Sequence, residues 1–254
     1  MVSKNTTVST DPNKQPHILI NLDIVFPNMP CYLIEADLST SVNHMESDEL
    51  EKMMKMTHIK KNGAPDIRQE DVFKSINLDD ETSADKIKEF YDGEYECLIK
   101  GNIESSKVAG QLVFKTKHDK PAVKKFKEKF PDIQMQMNHR VLSTSFGNER
   151  DQSKIMRHFG DIDFGTHTRF NLFSGERGVQ NKDSEDKAQH YFYFFKLVPH
   201  QFVDYIRGIQ ISGYSYSLSS NQKEAENPGE VKLTMILDYA PVKMILSREQ
   251  RPLG

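Results

Sequence analysis

The chain has 254 residues, a net charge of −3 and a hydrophobic fraction of 37%, with 15 Phe and 9 Tyr to build a core. That length allows one large β domain or two ordinary ones, and the interspersed charges lack the basic face expected of a nucleic-acid binder. No stretch reaches the roughly 18 apolar residues that cross a bilayer, and residues 1–16 have no apolar core of the kind a signal peptide carries.

Residues 1–16, rich in Ser, Thr, Asn, Lys and Pro, read as a disordered leader, and within them Asn5-Thr6-Thr7 is an N-glycosylation sequon. From His17 to Phe26 the pattern changes. Ile18, Ile20, Leu22, Ile24 and Phe26 share one parity, the period-two signature of a strand with one buried face. The turn Pro27-Asn28-Met29-Pro30 stops it, and a second strand is expected over Cys31 to Leu38. Residues 47–91 then read as a partly helical insertion. Ser47-Asp48-Glu49 supplies helix-start chemistry ahead of Leu50, Met53, Met54 and Met56, and Asn62-Gly63-Ala64-Pro65 ends that segment. Asp66 to Ile76 and Ser83 to Tyr91 read as further short helices.

Strands resume at Tyr95 to Ile103 and Val108 to Thr116, and the intervening Glu104 to Lys107 predicts a hairpin. Lys120 to Phe130 reads as a short basic helix whose Lys124, Lys125, Lys127 and Lys129 form a solvated face. Gln134 to Phe146 is a strand, and residues 149–189 are polar and loop-like apart from the patch Phe159 to Phe173. Tyr191 to Val198 carries apolar residues on both parities, which predicts a central strand covered on both sides. Gln201 to Ile206, Ile209 to Ser219, Val231 to Tyr239 and Val242 to Ser247 complete the set. Strands at this spacing with helices as inserts imply a mainly β chain, an antiparallel two-sheet β-sandwich with short helical insertions, in one domain over residues 17–252.

The chemistry-bearing residues are few. Cys31 and Cys97 are too few for a disulfide scaffold and too isolated for a zinc site; two buried thiols and one long-range disulfide both remain open. His158, Asp161, Asp163 and His167 have ligand-like spacing, but a polar loop accounts for the same letters and no metal or cofactor is expected. Gly-x-Ser-x-Gly, His-Glu-x-x-His and P-loop patterns are absent, so no enzymatic site is expected. A second reading is a carbohydrate- or lipid-binding sandwich with Tyr214 and Tyr216 lining a groove.

Five blocks, in order, resemble the lumenal domain of the ERGIC family of ER–Golgi cycling vesicle proteins. They are ILINLDIVFPNMPCYLIEADL (Ile18 to Leu38), CLIKGNIESSKVAGQLVF (Cys97 to Phe114), NHRVLSTSFGNE (Asn138 to Glu149), YFYFFKLVPHQFVD (Tyr191 to Asp204) and GEVKLTMILDYAPVKMILSREQRP (Gly229 to Pro252). The cysteine-rich insertion of one branch is missing, and Ala240 precedes Pro241 where the family has Ser or Glu. The resemblance implies a soluble lumenal portion of a membrane-anchored cargo receptor of the ER, intermediate compartment and Golgi. Membrane spans and cytosolic, coat-binding tails would lie outside this chain. It also implies lumenal cargo and a paralogous subunit as partners, a non-catalytic role, and a Cys31–Cys97 disulfide suited to an oxidising lumen. Because ER and Golgi differ in pH, His139, His158, His167 and His200 become candidate pH sensors of cargo affinity.

Overall fold

The computed structural model describes residues 2–10, 17–61, 76–159, 173–177, 188–226 and 230–250. The strands are β1 (Val2–Thr10), β2 (His17–Phe26), β3 (Ile34–Thr40), β4 (His44–Met45), β5 (Met54–Lys60), β6 (Tyr95–Ser106), β7 (Gly110–Thr116), β8 (His139–Phe146), β9 (Phe173–Arg177), β10 (Gln189–Asp204), β11 (Ile209–Glu224), β12 (Lys232–Tyr239) and β13 (Val242–Gln250). The helices are α1 (Ser47–Leu50), α2 (Ala84–Asp92), α3 (Pro121–Lys129) and α4 (Glu149–Phe159). An eight-stranded sheet runs β1-β13-β10-β12-β7-β3-β4 with β11 also on β10, and a five-stranded sheet runs β5-β6-β2-β8-β9. Together they make the two-layered β-sandwich that the alternation predicts.

One stripe per strand builds the core. Ile18, Ile20, Leu22, Ile24 and Phe26 of β2 are buried against Leu112 and Phe114 of β7, Leu233, Met235 and Leu237 of β12, and Tyr193, Phe195 and Leu197 of β10, all in one cluster. Aromatic rings cross between the layers: Phe26 meets Phe114 at 5.8 Å, and Phe146 meets Phe195 at 5.2 Å. Truncating such a ring to Ala costs about 3–5 kcal/mol, because transfer and cavity terms add.

Several elements differ from the expectation, each for a physical reason. Val2–Thr10 is a strand, not a disordered leader, held in register along all of β13 by backbone pairing. Met54–Lys60 is a strand on β6 rather than a continuation of the helix, which ends at Leu50. The expected helix over Asp66 to Ile76 lies almost entirely outside the described residues. Helix α4 stands where a polar loop was expected, with only Ile155 and Phe159 as its buried apolar contacts in the described set. β6 and β7 do not form a hairpin: β6 pairs with β2 and β5, β7 with β3 and β12, so their connection arches between layers. A strand with one buried face has the same alternation whichever sheet receives its partner. Within the large sheet β10 runs parallel to both β12 and β13 while pairing antiparallel with β11. It is central, yet only one face is covered along its first half, where Phe194 is 41% exposed.

The Cys31–Cys97 disulfide joins the link between β2 and β3 to β6, with Cα atoms 5.0 Å apart across a sequence separation of 66. That link is where the chain passes from one layer to the other, so the bridge fastens the crossover to the small sheet. Closing a loop of this length stabilises by about 4 kcal/mol on chain-entropy grounds. Replacing Cys97 by Ala should therefore lower the melting temperature by roughly 10 °C. Dithiothreitol should have the same effect on the parent protein and none on the variant, as read by thermal unfolding with and without reductant.

Candidate functional site

A cleft of about 330 Å³ opens where β3 begins and β7 ends, lined by Glu35, Ser47, Asp48 and the run Lys115 to Lys120. Two adjoining strands and α1 supply its wall, and the turn into α3, whose first residue is Pro121, supplies its rim. Its cations are tied back to carboxylates. Lys115 Nζ lies 2.6 Å from Asp37 and 3.8 Å from Glu35, and its hydrogen bond to Asp37 raises its pKa above the ordinary lysine value. Lys117 reaches Glu51 at 3.8 Å and Lys120 reaches Asp79 at 2.9 Å. His118 faces Asp119 at 3.3 Å, and its Nδ1 sits 3.2 Å from the Thr116 carbonyl. Exposed pairs like these contribute little to stability and exchange partners readily. A mixed-sign lattice of this kind suits a polar, charged peptide better than a lone anion. Of the cleft's two buried hydroxyls, Ser47 Oγ lies 3.4 Å from Glu51 and accepts from Ala36 N–H, and Thr116 Oγ1 is buried beside it on β7.

The candidate histidines do not converge. His139 is fully buried on β8, its Nδ1–H donating to the Met137 carbonyl and its Nε2 hydrogen-bonded with the Tyr193 hydroxyl at 2.9 Å, a contact that ties the layers together. His200 is buried on β10 with Nε2 2.6 Å from Ser215 Oγ, and burial lowers its pKa from 6.5 to about 4. That lowering works against a charge on His200 in the pH interval between ER and Golgi. His158 is half-buried on α4; His167, Asp161 and Asp163 lie outside the described residues. Among the described residues no three His, Cys, Asp or Glu side chains are placed to hold a metal ion.

Other expected surfaces are placed differently. Tyr216 is buried and packs on Phe146 and Phe195, so Tyr214 and Tyr216 line no exposed aromatic groove. The reason is parity: both point to the inner face, where β10 supplies a wall of rings. On α3, Lys125 pairs with Glu128 and Lys129 with Asp85, which neutralises part of the basic face. Asn5 is exposed on β1.

Sequence reasoning missed His58. It faces Cys97 across the β5–β6 ladder, and its Nε2 accepts the Cys31 N–H at 3.1 Å, so an imidazole is hydrogen-bonded to the backbone of a disulfide residue. Burial lowers its pKa from 6.5 to about 4. The signal lay in the alternation of Met54, Met56 and His58, readable as a strand once the Met cluster is not assigned to a helix.

For both His58 and His200 the folded pKa lies below the unfolded one, so the unfolded chain takes up protons first as pH falls. Stability from these two groups is complete above pH 6.5 and is lost between 6.5 and 4. Each histidine costs up to about 1.4 kcal/mol per pH unit in that window. Urea titrations at pH 7, 6 and 5 should show this decline, and His200→Gln should reduce its slope by one proton. An unchanged slope would place the acid sensitivity elsewhere.

The endoplasmic reticulum vesicle transporter family matches residues 71–253. Among solved structures, the chain is similar to the crystal structure of Erv41p, with a TM-score of 0.58 and 15% sequence identity over 95% of this chain and 99% of that one. At that identity the likeness speaks to the fold alone, over nearly the whole length of both chains. No curated protein sequence matches the chain significantly. The family match covers well over half of the residues, and the chain belongs to the endoplasmic reticulum vesicle transporter family.

Proposed function

We propose that this chain is the lumenal domain of a membrane-tethered cargo receptor that cycles between ER and Golgi, binding lumenal client proteins and a paralogous family subunit. The observation that carries the reading is the family match over residues 71–253. Coat recognition would fall to cytosolic tails outside this sequence, and the domain itself would bind rather than catalyse.

Three features of the fold support it. The Cys31–Cys97 bridge suits an oxidising compartment. Val2 is the register partner of Gln250, which sets both ends of the sandwich side by side, as attachment of both to one surface requires. The charged cleft and the exposed sheet surfaces offer contact area for polypeptide.

Topology has a direct test in Asn5, which we take to be glycosylated. Full-length protein expressed in eukaryotic cells should carry one glycosidase-sensitive glycan, and Asn5→Gln should remove it. A second acceptor made at exposed Asn102 by E104T reports on topology independently of Asn5. Modification at neither position would overturn the lumenal placement.

Partner binding is tested by affinity purification of the full-length protein from detergent-solubilised ER and Golgi membranes. A paralogous family member should co-purify in fixed ratio. Reversing Lys117 and Lys120 to Glu, at the cleft, should lower client recovery at least fivefold while leaving the melting temperature within a few degrees. Recovery of the protein alone would contradict the reading.

A further inference from the structure

The long strands β10 and β11 are joined by the turn Tyr205-Ile206-Arg207-Gly208, closed by the register pair Asp204 and Ile209. Hairpin turns normally draw on Gly, Asn, Asp, Ser and Pro. Here the first two positions are Tyr and Ile, 64% and 46% exposed, and neither belongs to a buried cluster of the described residues. Arg207 beside them is exposed as well.

The turn is built to hold that shape. The buried carboxylate of Asp204 accepts the N–H of Ile206 at 3.0 Å and of Arg207 at 3.1 Å, and Arg248 lies 3.6 Å from its other oxygen. Tyr205 N–H donates to the Arg248 carbonyl at 3.0 Å, and Gly208, at φ +65°, closes the turn in the left-handed region that glycine enters without strain. Beneath it Phe159 of α4 packs on Phe202 at 5.1 Å, with the Arg248 guanidinium 5.7 Å over the Phe159 ring. The two apolar side chains are therefore held outward on a rigid base. Their position is equally specific. Arg248 is the register partner of Asp204, and Gln250, two residues further along β13, is that of Val2 on β1, so the tip stands beside both ends of the sandwich. The charged cleft is elsewhere: Lys115 pairs with Lys232, beside the start of β10 and at the opposite end of the sheet.

We propose that the turn Tyr205-Ile206-Arg207 is a lipid contact, seating the Tyr205 ring and Ile206 in the interfacial layer of a bilayer with Arg207 against the lipid phosphates. Tyrosine suits that layer because its ring is apolar and its hydroxyl stays wet. Arginine does too, its stem lying along apolar surface while the guanidinium meets phosphate. Two apolar side chains hold a bilayer weakly, but a tether beside them makes the contact intramolecular and raises its effective concentration. The tip then sets the orientation of the sandwich rather than its attachment, and it turns the charged cleft away from the lipid. The inference rests on the membrane-tethered role proposed above and specifies which surface meets the membrane.

The chain contains no Trp, so Tyr205→Trp installs a sole indole reporter at the tip. The variant, with a C-terminal hexahistidine tag, is tethered to phosphatidylcholine vesicles carrying a nickel-chelating lipid. Its emission should shift to the blue on tethering, and phosphatidylcholine brominated on its acyl chains should quench it at least twofold. Lys223→Trp, exposed at the other end of the same hairpin, should show neither change. Adding Ile206→Asp to Tyr205→Trp should abolish the quenching, and adding Arg207→Glu should reduce it at least twofold; each variant should keep the parent melting temperature. Emission unchanged by tethering would overturn the proposal. So would a blue shift without bromine quenching, which reports burial against protein rather than lipid. Because the tag supplies the anchor, the assay needs neither the natural spans nor a family partner. An indole that stays in water while Asn5 is glycosylated and a paralogue co-purifies removes only the lipid contact. Quenching at the tip without glycosylation or co-purification removes only the receptor reading.

Discussion

The architecture depends on a seam of aromatic side chains that holds two sheets of different width face to face. Phe26 of the small sheet lies against Phe114 of the large one, and Phe146 meets both Phe195 and Tyr216. At one end the seam becomes polar, where His139 and the Tyr193 hydroxyl are hydrogen-bonded in full burial. Ring edges against ring faces favour particular offsets, so these contacts fix how the layers sit, which a purely aliphatic core would leave looser. A buried imidazole–phenol bond adds directionality, since neither partner has water to fall back on. Register between the layers is therefore set in the interior, and the outer faces are left free to carry charge, clefts and open edges.

The second fastening is at the crossover. A chain that moves from one layer to the other after β2 has no ladder to hold it, and here Cys31 bonds to Cys97 while its N–H is accepted by His58. The covalent bridge limits how far the crossover can move, and the imidazole satisfies a backbone donor that burial would otherwise strand. The two restraints depend on each other. Acid that protonates His58 removes the acceptor, and reduction of the bridge frees the loop that positions the donor. The cleft formed by β3 and β7 lies just past this crossover, so its geometry inherits that restraint.

Legibility followed burial. His17–Phe26 was readable to the residue because one whole face of it is sealed, so each second letter had to be apolar. β1 was unreadable for the opposite reason: its Asn5, Thr6, Thr7 and Thr10 side chains are exposed, and backbone pairing with β13 is what makes it a strand. The Met cluster misled because methionine packs in either period, and Met54 and Met56 serve a strand while Leu50 closes a helical turn. The arch between β6 and β7 could not be told from a hairpin, since alternation reports a buried face and says nothing of which sheet owns it. Of the site, the cysteine pair was legible only through the family resemblance. The cleft was not, because it joins residues from 35 to 120 through tertiary contact.

Tyr191 to Val198 shows where composition and placement part. Apolar letters on both parities suggested a strand covered on both faces, and the inner ones, Tyr191, Tyr193, Phe195 and Leu197, are indeed buried. The outer ones are not paying for core stability: Phe194 stands open, and Lys196 follows it on the same face. Aromatic rings kept on an exposed sheet face carry a cost in aggregation that core packing does not offset. The rings of β10 thus divide by parity: the inner ones build the core, and the outer ones mark where this sandwich departs furthest from a self-contained one.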